Sequence, residues 1–435
     1  MKHHDPIFFV DYCGIREKDG FLTELAGAFS HDRNLVVLDS IRRQSDPKNF
    51  IQVAAPQPIF RSKRRPLLPL SAGFRRILSN PILRNAVEQL VGLRRERHSS
   101  YRQSAARKSI AEAFAFTKQQ IDRYRPDLVV VWNQFHPLSK AAVAAAHNQK
   151  VKVAFAEFGL LPGTFNFDLY GQMGESDIVR QSSIFNALPL ETEDIHAAKK
   201  ALETVYKTRA NRRSQTSSDS LVGSIRQHAD GRPILFFAGH NDHAAGTQPY
   251  DEQARRFHSP IFSSSKHAAA HLEQLAAKNG WFVVYKPHPF AARSQSLEGS
   301  DHLEILLEDV DIHACIELAD CVITTVSQTS YVSLLRGRPL VMVGYNQLRS
   351  SGCCYQVNTE EDISNTIEEA LGNGFTNLQN EAWLEHVARI LKYYLFQFNG
   401  NSTALPEARD VSDLAATIEA AAQRPIEEQQ IRWSQ

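Results

Sequence analysis

The chain has 435 residues, more than one hydrophobic core usually serves, so two α/β domains are expected. Its 43% hydrophobic and 22% charged residues are those of an ordinary globular protein and exclude a fibrous or wholly disordered chain. A formal net charge of +1 excludes a global pull toward nucleic acid or membrane.

From the N-terminus, Met1–Asp5 lead into a strand expected over Ile7–Val10, without the long apolar core of a signal peptide. No later run approaches the ~18 apolar residues that span a bilayer. A cytoplasmic location is therefore expected, with membrane contact only peripheral, at the inner membrane. A second strand is expected over Leu35–Leu38. The segment from Arg61 to Lys108 carries thirteen Lys or Arg against Glu88 and Glu96, and Pro56–Pro81 is punctuated by prolines, as a loop-rich stretch would be. No nucleic-acid-binding signature accompanies the basic run, so nucleic acid is not expected as a partner. Leu67, Leu68, Leu70 and Phe74 beside those charges suit an anionic membrane face as well as they suit a solvated surface.

Helical patterns over Arg107–Tyr124 and Leu138–Asn148 then alternate with strands expected over Leu128–Trp132 and Val151–Ala156. Lys207–Ser220 (KTRANRRSQTSSDS) is polar and without apolar periodicity, as a linker would be. The alternation resumes with strands over Ile234–Phe237, Trp281–Tyr285, Cys321–Thr324 and Leu340–Val343. A helical pattern leads to Trp383–Phe398, and the last fifteen residues are polar. The fold class expected is α/β with two Rossmann-like domains. The first spans residues 1–215 and the second 222–375, with a helical segment over 376–435 that crosses back toward the first. The five cysteines show no CxxC and no framework, so reduced thiols are expected.

In open parallel sheets ligands bind beyond the carboxyl ends of the strands. After Trp281–Tyr285 comes Lys286-Pro287-His288-Pro289, where two prolines fix the backbone around the imidazole and place a Lys and a His at a strand end. Taken alone, this also fits a turn with a solvated histidine. After Cys321–Thr324 the chain runs through Thr325-Val326-Ser327-Gln328-Thr329-Ser330 into an apolar helix, which supplies hydroxyls and backbone N–H groups for an anion or simply caps the helix. Glu157 follows another strand, with Gly159 allowing a tight turn beside it, and its carboxylate could serve as a base, a nucleophile or merely a loop cap.

The KPHP turn followed by ADCVITTVSQTSYVSLLRGRPLVMVG resembles the nucleotide half of the bacterial capsule polysaccharide biosynthesis family, which holds Kdo transferases of GT-B plan. The block from Phe155 through Glu157, Gly159, Phe167-Asp168 and Gly171 to Glu175-Ser176 is similar to that family's acidic–glycine block in the acceptor half. The likeness runs from Asp127 to Tyr355 and continues into Gly344-Tyr345. It implies two Rossmann-like domains facing across a cleft, with a CMP-sugar donor and a lipid-linked or glycan acceptor. It places Lys286, His288, Pro289, Ser327, Gln328, Thr329 and Ser330 at the nucleotide, and Glu157, Asp168 and His288 in catalysis. No cofactor and no metal are expected.

Two positions depart from the pattern. Phe158 stands where the family commonly has a second acidic residue, and His240 stands where a Gln is expected. His240 and Asp242, in Gly239-His240-Asn241-Asp242-His243, together with Gly159, Asn133 and Tyr345, are candidates for the donor and acceptor pocket. His240 and His243 lack a third partner for a zinc site. Asn133 and Asp11-Tyr12-Cys13-Gly14 lie at strand ends, where turn formation is the simpler role. Three functions stay open: transfer of a Kdo-like acidic sugar from CMP, transfer by a sialyltransferase or other nucleotide-sugar enzyme, and non-catalytic glycan binding in polysaccharide assembly or export.

Overall fold

The computed structural model describes residues 5–13, 19–30, 33–39, 50–55, 79–93, 99–209, 219–289, 297–307, 310–397 and 405–424. The chain falls into two compact units, Met1–Gly159 with Gly163–Gln172 and Leu395–Gln435, and Leu160–Pro162 with Met173–Tyr394.

The first unit is built on β1 (Ile7–Asp11), β2 (Leu35–Asp39), β3 (Phe50–Ala54), β4 (Leu128–Trp132), β5 (Lys152–Phe158), β6 (Thr164–Asp168) and, from far along the chain, β13 (Leu395–Gln397), in the order β13-β6-β5-β4-β1-β2-β3. The strands β3, β2, β1, β4 and β5 run parallel, while β6 and β13 complete the edge in antiparallel pairings. The runs IFFVD, LVVLD and LVVVW are buried along their whole length because helices cover both faces. On one face Phe9, Phe21, Trp132 and Phe165 meet Leu414 and Ile418 of the helix Val411–Gln423. On the other, Phe8, Val129 and Val131 meet Ala106 and Ile110, and Ala141 to Ala146 of the helix Pro137–Asn148. Lys152 Nζ donates to the carbonyls of Ala422 and, at 2.9 Å, Arg424, closing the C-terminus of that last helix with a cation.

The second unit carries β7 (Ile234–Ala238), β8 (Phe282–Lys286), β9 (Leu303–Ile305), β10 (Cys321–Thr324), β11 (Leu340–Met342) and β12 (Tyr355–Gln356), in the order β12-β11-β10-β7-β8-β9 with every pairing parallel. Successive strands are laid to one side of β7 and then to the other, the doubly wound Rossmann order, so the winding reverses between β7 and β10. In the first unit the same reversal lies between β1 and β4. Both expected Rossmann-like domains are therefore present.

The expected boundaries shift. The division near residue 215 moves back to 172, because the helix Thr192–Thr208 packs on the helix Asn377–Tyr393: Lys392 Nζ donates to Asp194 Oδ2 at 2.6 Å, and Arg389 Nε to the Leu188 carbonyl at 3.2 Å. That helix runs to Thr208, so Lys207 and Thr208 are helical; 210–218 lie outside the described residues. The helix expected over Trp383–Phe398 stops at Tyr393, and Leu395–Gln397 is a strand of the first sheet, so the return crossing begins at 395 rather than 376. Of the basic segment, 56–78 and 94–98 lie outside the described residues. Among the described residues no helix is long and apolar enough to cross a membrane.

Within the second unit, His386 is buried between Tyr331, Trp383 and Phe185, and its Nε2 lies 3.0 Å from the Tyr331 hydroxyl. Burial, helped by Arg389, lowers its pKa from 6.5 to about 3. The folded state thus keeps the imidazole neutral where the unfolded chain binds a proton, so stability is lost as pH falls from about 6.5 toward 3. Denaturant titrations should show up to about 1.4 kcal/mol lost per pH unit from this group. His386→Leu should flatten that slope even if it lowers stability outright; an unchanged slope would show that the group titrates normally.

Candidate functional site

At the carboxyl edge of the first sheet, Asp11 on β1 stands in register with Asp39 on β2, and both are fully buried. Asp11 Oδ1 accepts the Cys13 N–H at 3.2 Å. The Tyr12 hydroxyl pairs with Thr117 Oγ1 at 2.7 Å, and burial drives its pKa well above the ordinary tyrosine value. Gly14 lies outside the described residues. Asn133 takes a left-handed backbone, φ 55°, and its Oδ1 accepts the Phe135 N–H at 3.0 Å, so it shapes the turn from β4 into the helix Pro137–Asn148.

Glu157 is half-buried on β5, directly opposite Asn166 on β6. Asp168 on β6 is fully buried and accepts a hydrogen bond from Asn166 Nδ2 at 2.7 Å. Residues opposite one another, and two apart along a strand, share a face. Glu157, Asn166 and Asp168 therefore lie on one face of the β5–β6 pair. Asn166, which sequence reasoning missed, is the amide between the two carboxylates. Phe158 points the other way, 5.0 Å from Trp132 and 5.6 Å from Phe165 between ring centroids, into the apolar core. Gly159 is obligatory, since a Cβ there would stand 2.0 Å from Thr164 Oγ1 across the hairpin.

At the carboxyl edge of the second sheet, Ala238 at the end of β7 is in register with Lys286 of β8 and with Thr324 of β10. The KPHP turn and the hydroxyl loop thus leave the sheet on either side of β7, about 10 Å apart at two strand spacings. Lys286 is buried, His288 half-buried and Pro289 exposed. The Lys286 ammonium opposes the burial that pushes the Cys315 thiol up to about 12. Beyond β10, Ser327 Oγ donates to Thr329 Oγ1 at 2.9 Å, and Ser330 Oγ donates to the Ser327 carbonyl at 2.9 Å. Thr324 and Thr325 are buried, and their hydroxyl oxygens have no hydrogen-bond partner. Gln328 precedes the helix Thr329–Leu335.

His240 and Asp242 work as a brace. His240 Nδ1 lies 3.1 Å from Ser265 Oγ, and Nε2 lies 3.0 Å from Thr247 Oγ1 and 3.1 Å from Asp242 Oδ1. Asp242 Oδ1 also accepts the Ser265 N–H at 2.9 Å. Burial alone would raise the Asp242 pKa, but these bonds, His240 first, hold it below the ordinary carboxylate value. Both imidazole nitrogens are thereby engaged, and the pair fixes the loop after β7 against the helix Ser265–Asn279.

The loop after β11 locks onto the same edge. Tyr345 N–H donates to the His258 carbonyl at 2.8 Å, its hydroxyl donates to Asn358 Oδ1 at 3.2 Å, and the Arg349 guanidinium lies 3.6 Å over its ring. Asn346 Nδ2 donates to Ser330 Oγ at 2.9 Å. His258 Nε2 in turn lies 3.0 Å from Glu175 Oε1, and Gln253 Nε2 donates to both Glu175 oxygens at 2.9 and 3.0 Å. Glu175, read from sequence within the acceptor-half block, therefore belongs to the second unit, where it supports the loop carrying Tyr345. Neither Asn346 nor His258 sits in a motif that would have singled it out. Among the described residues no group of three or more His, Cys, Asp or Glu side chains is placed to hold a metal ion.

A Cβ at Gly344 would lie 2.6 Å from the His258 carbonyl oxygen and 2.7 Å from that of Thr325, backbone atoms that cannot swing aside, whereas one at Gly27 meets nothing within 4 Å. Gly344→Ala should cost about 1–3 kcal/mol, read as a lowered thermal midpoint, while Gly27→Ala, in a helix, should be neutral or stabilising. Equal midpoints for the two variants would contradict the packing described.

No family model matches the chain, and no curated protein matches it. Among solved structures it is similar to KpsC, beta Kdo 2,7 transferase, of Thermosulfurimonas dismutans, at 17% identity and TM-score 0.42 over 69% of this chain and 88% of that one. The beta Kdo 2,4 transferase of the same KpsC matches at 14% identity and TM-score 0.44, over 67% and 87%. A UDP-GlcNAc 2-epimerase of Methanocaldococcus jannaschii, solved with UDP-GlcNAc and UDP, matches at 12% identity and TM-score 0.36, over 89% and 99%. At these values the likeness assigns no activity to the chain.

Proposed function

We propose that the chain is a GT-B glycosyltransferase that moves an acidic, Kdo-like sugar from CMP to a lipid-linked or glycan acceptor. The observation that carries this reading is the carboxyl edge of the second sheet, where Lys286 and His288 leave one side of β7 and the Ser327–Ser330 hydroxyls leave the other. A cation, an imidazole and a set of hydroxyls at a doubly wound switch point suit a nucleotide phosphate. In transfer, the bond from the anomeric carbon to the donor phosphate breaks and CMP departs with the electron pair. Lys286 and His288 offset the charge that develops on the phosphate. The acceptor hydroxyl bonds to the anomeric carbon and loses its proton to a carboxylate. Glu157 is the residue for that step, because it is half-buried at a strand end, whereas Asp168 is fully buried and tied to Asn166, which suits it to positioning.

Two measurements test this. Isothermal titration should show CMP binding in preference to UMP, UDP and GDP, weakened about tenfold or more in His288→Ala by loss of a charge-assisted hydrogen bond. Preference for UDP, or indifference to His288, would sink the donor assignment. Assays with CMP-Kdo and CMP-sialic acid should show turnover that Glu157→Gln lowers by roughly 10²-fold or more while CMP binding is retained. CMP binding without turnover on either donor would favour a glycan-binding role, and transfer from CMP-sialic acid alone would make the chain a sialyltransferase.

A further inference from the structure

Adjacent thiols stand behind the hydroxyl loop, and nothing in the proposed transfer uses them. Cys353 is fully buried and Cys354 half-buried, and both are free thiols. Ser350 at φ 64° and Gly352 at φ 79° turn the backbone sharply just before them. Ser351 Oγ lies 2.8 Å from Cys353 Sγ and donates to the Leu348 carbonyl at 2.6 Å. The Leu348 N–H donates to Asn346 Oδ1 at 2.9 Å, and Asn346 Nδ2 reaches Ser330 Oγ at 2.9 Å. An unbroken series of hydrogen bonds therefore runs from the thiol pair to the loop after β10. Tyr331, one residue beyond Ser330, is close enough to both cysteines that they add to the burial raising its pKa.

We propose that Cys353 and Cys354 form a redox-active pair that closes to a disulfide on exposure to hydroperoxide and loosens the Ser327–Leu335 segment when it does. Burial alone would raise the Cys353 pKa, but hydrogen bonds from Cys354 and Ser351 hold it below the ordinary cysteine value, whereas Cys354 is pushed up by Cys353 and then by burial. Ionisation therefore begins on Cys353, and a proton passed across the contact moves the thiolate to Cys354, the less buried residue of the two. That thiolate attacks hydrogen peroxide. The O–O bond breaks, Cys354 becomes the sulfenic acid, and hydroxide leaves. The Cys353 sulfur then displaces hydroxide from Cys354 and gives up its proton, so two thiols lose two protons and two electrons and one peroxide becomes two waters. Adjacent Cα atoms are about 3.8 Å apart, below the usual disulfide separation, so the ring is strained and easily reduced. Such a bond suits a reversible switch better than a structural staple. Closing it changes the 351–354 backbone and pulls on the chain of bonds to Ser330.

The test uses the full-length protein, treated with hydrogen peroxide, alkylated and digested for mass spectrometry. The expected product is one peptide linking Cys353 to Cys354, two hydrogens lighter than the dithiol and restored by dithiothreitol. It should be lost in Cys354→Ser and in the second variant, Cys353→Ala. Amide hydrogen exchange over 327–335 should become roughly tenfold faster on oxidation in the wild type and stay unchanged in Cys354→Ser. Sulfinic acid at Cys354 without a bond, a bond to another cysteine, or a bond that leaves exchange at 327–335 unaltered would each overturn the proposal. None of these readings uses a nucleotide, so they stand or fall separately from the donor assignment.

Discussion

A parallel sheet sends every strand out at the same edge, and the second unit depends on that constraint more than on any single contact. With β8 and β10 both in register with Ala238, whatever follows each strand emerges at one level. Lys286 and Thr324 are 38 positions apart in sequence (324 − 286) yet close on the same rim. Apolar strands buried along their whole length hold that level, because slipping one along its axis would draw the polar residues that follow it into the core. The chemistry-bearing residues can then sit on short loops whose starting points are already fixed.

Loops alone would not hold those residues still, and the structure uses buried polar pairs for that purpose. His240 and Asp242 with Ser265, Glu175 with His258, and Asn346 with Ser330 each tie two separate segments of the same unit together. Burying such groups costs free energy unless their hydrogen-bonding capacity is met, and a satisfied buried network specifies one arrangement in return. The glycines follow the same logic. Gly239 passes close beside the Lys286 carbonyl and Gly344 against the carbonyls of His258 and Thr325, so backbones approach where any side chain would hold them apart. The buried hydroxyls of Thr324 and Thr325, which have no hydrogen-bond partner, lie at the switch point itself.

Much of the fold was legible because its strands are continuous apolar runs. LVVVW and CVIT were delimited to the residue, and six further strands were found within one or two residues of their ends. Five strands of the described residues were not revealed: Leu303–Ile305, Tyr355–Gln356 and Leu395–Gln397 have two or three residues each, too few for a period to declare itself, while Phe50–Ala54 and Thr164–Asp168, at or beside the edges of the first sheet, mix polar residues with apolar ones. The return of the chain to the first unit was placed too early because a long amphipathic helix hides the change of partner, which happens between Tyr394 and Leu395. Motif residues were easy to name, whereas their supports were not. Asn166, His258 and Asn346 act through tertiary neighbours, and no local pattern carries that information.

Phe158 shows how the two levels correct each other. Read as a sequence position, an aromatic beside Glu157 could mean that a second acid had been lost and that catalysis was in doubt. The strand period separates the two positions, because neighbours on β5 point to opposite faces. Phe158 packs edge-on against Trp132 and stacks on Phe165, so a carboxylate there would enter the apolar core unpaired. An acid that does share a face with Glu157 is Asp168, contributed by the next strand and hydrogen-bonded by Asn166, the residue opposite Glu157. Glu157, Asn166 and Asp168 thus share one face across a hairpin instead of along one strand.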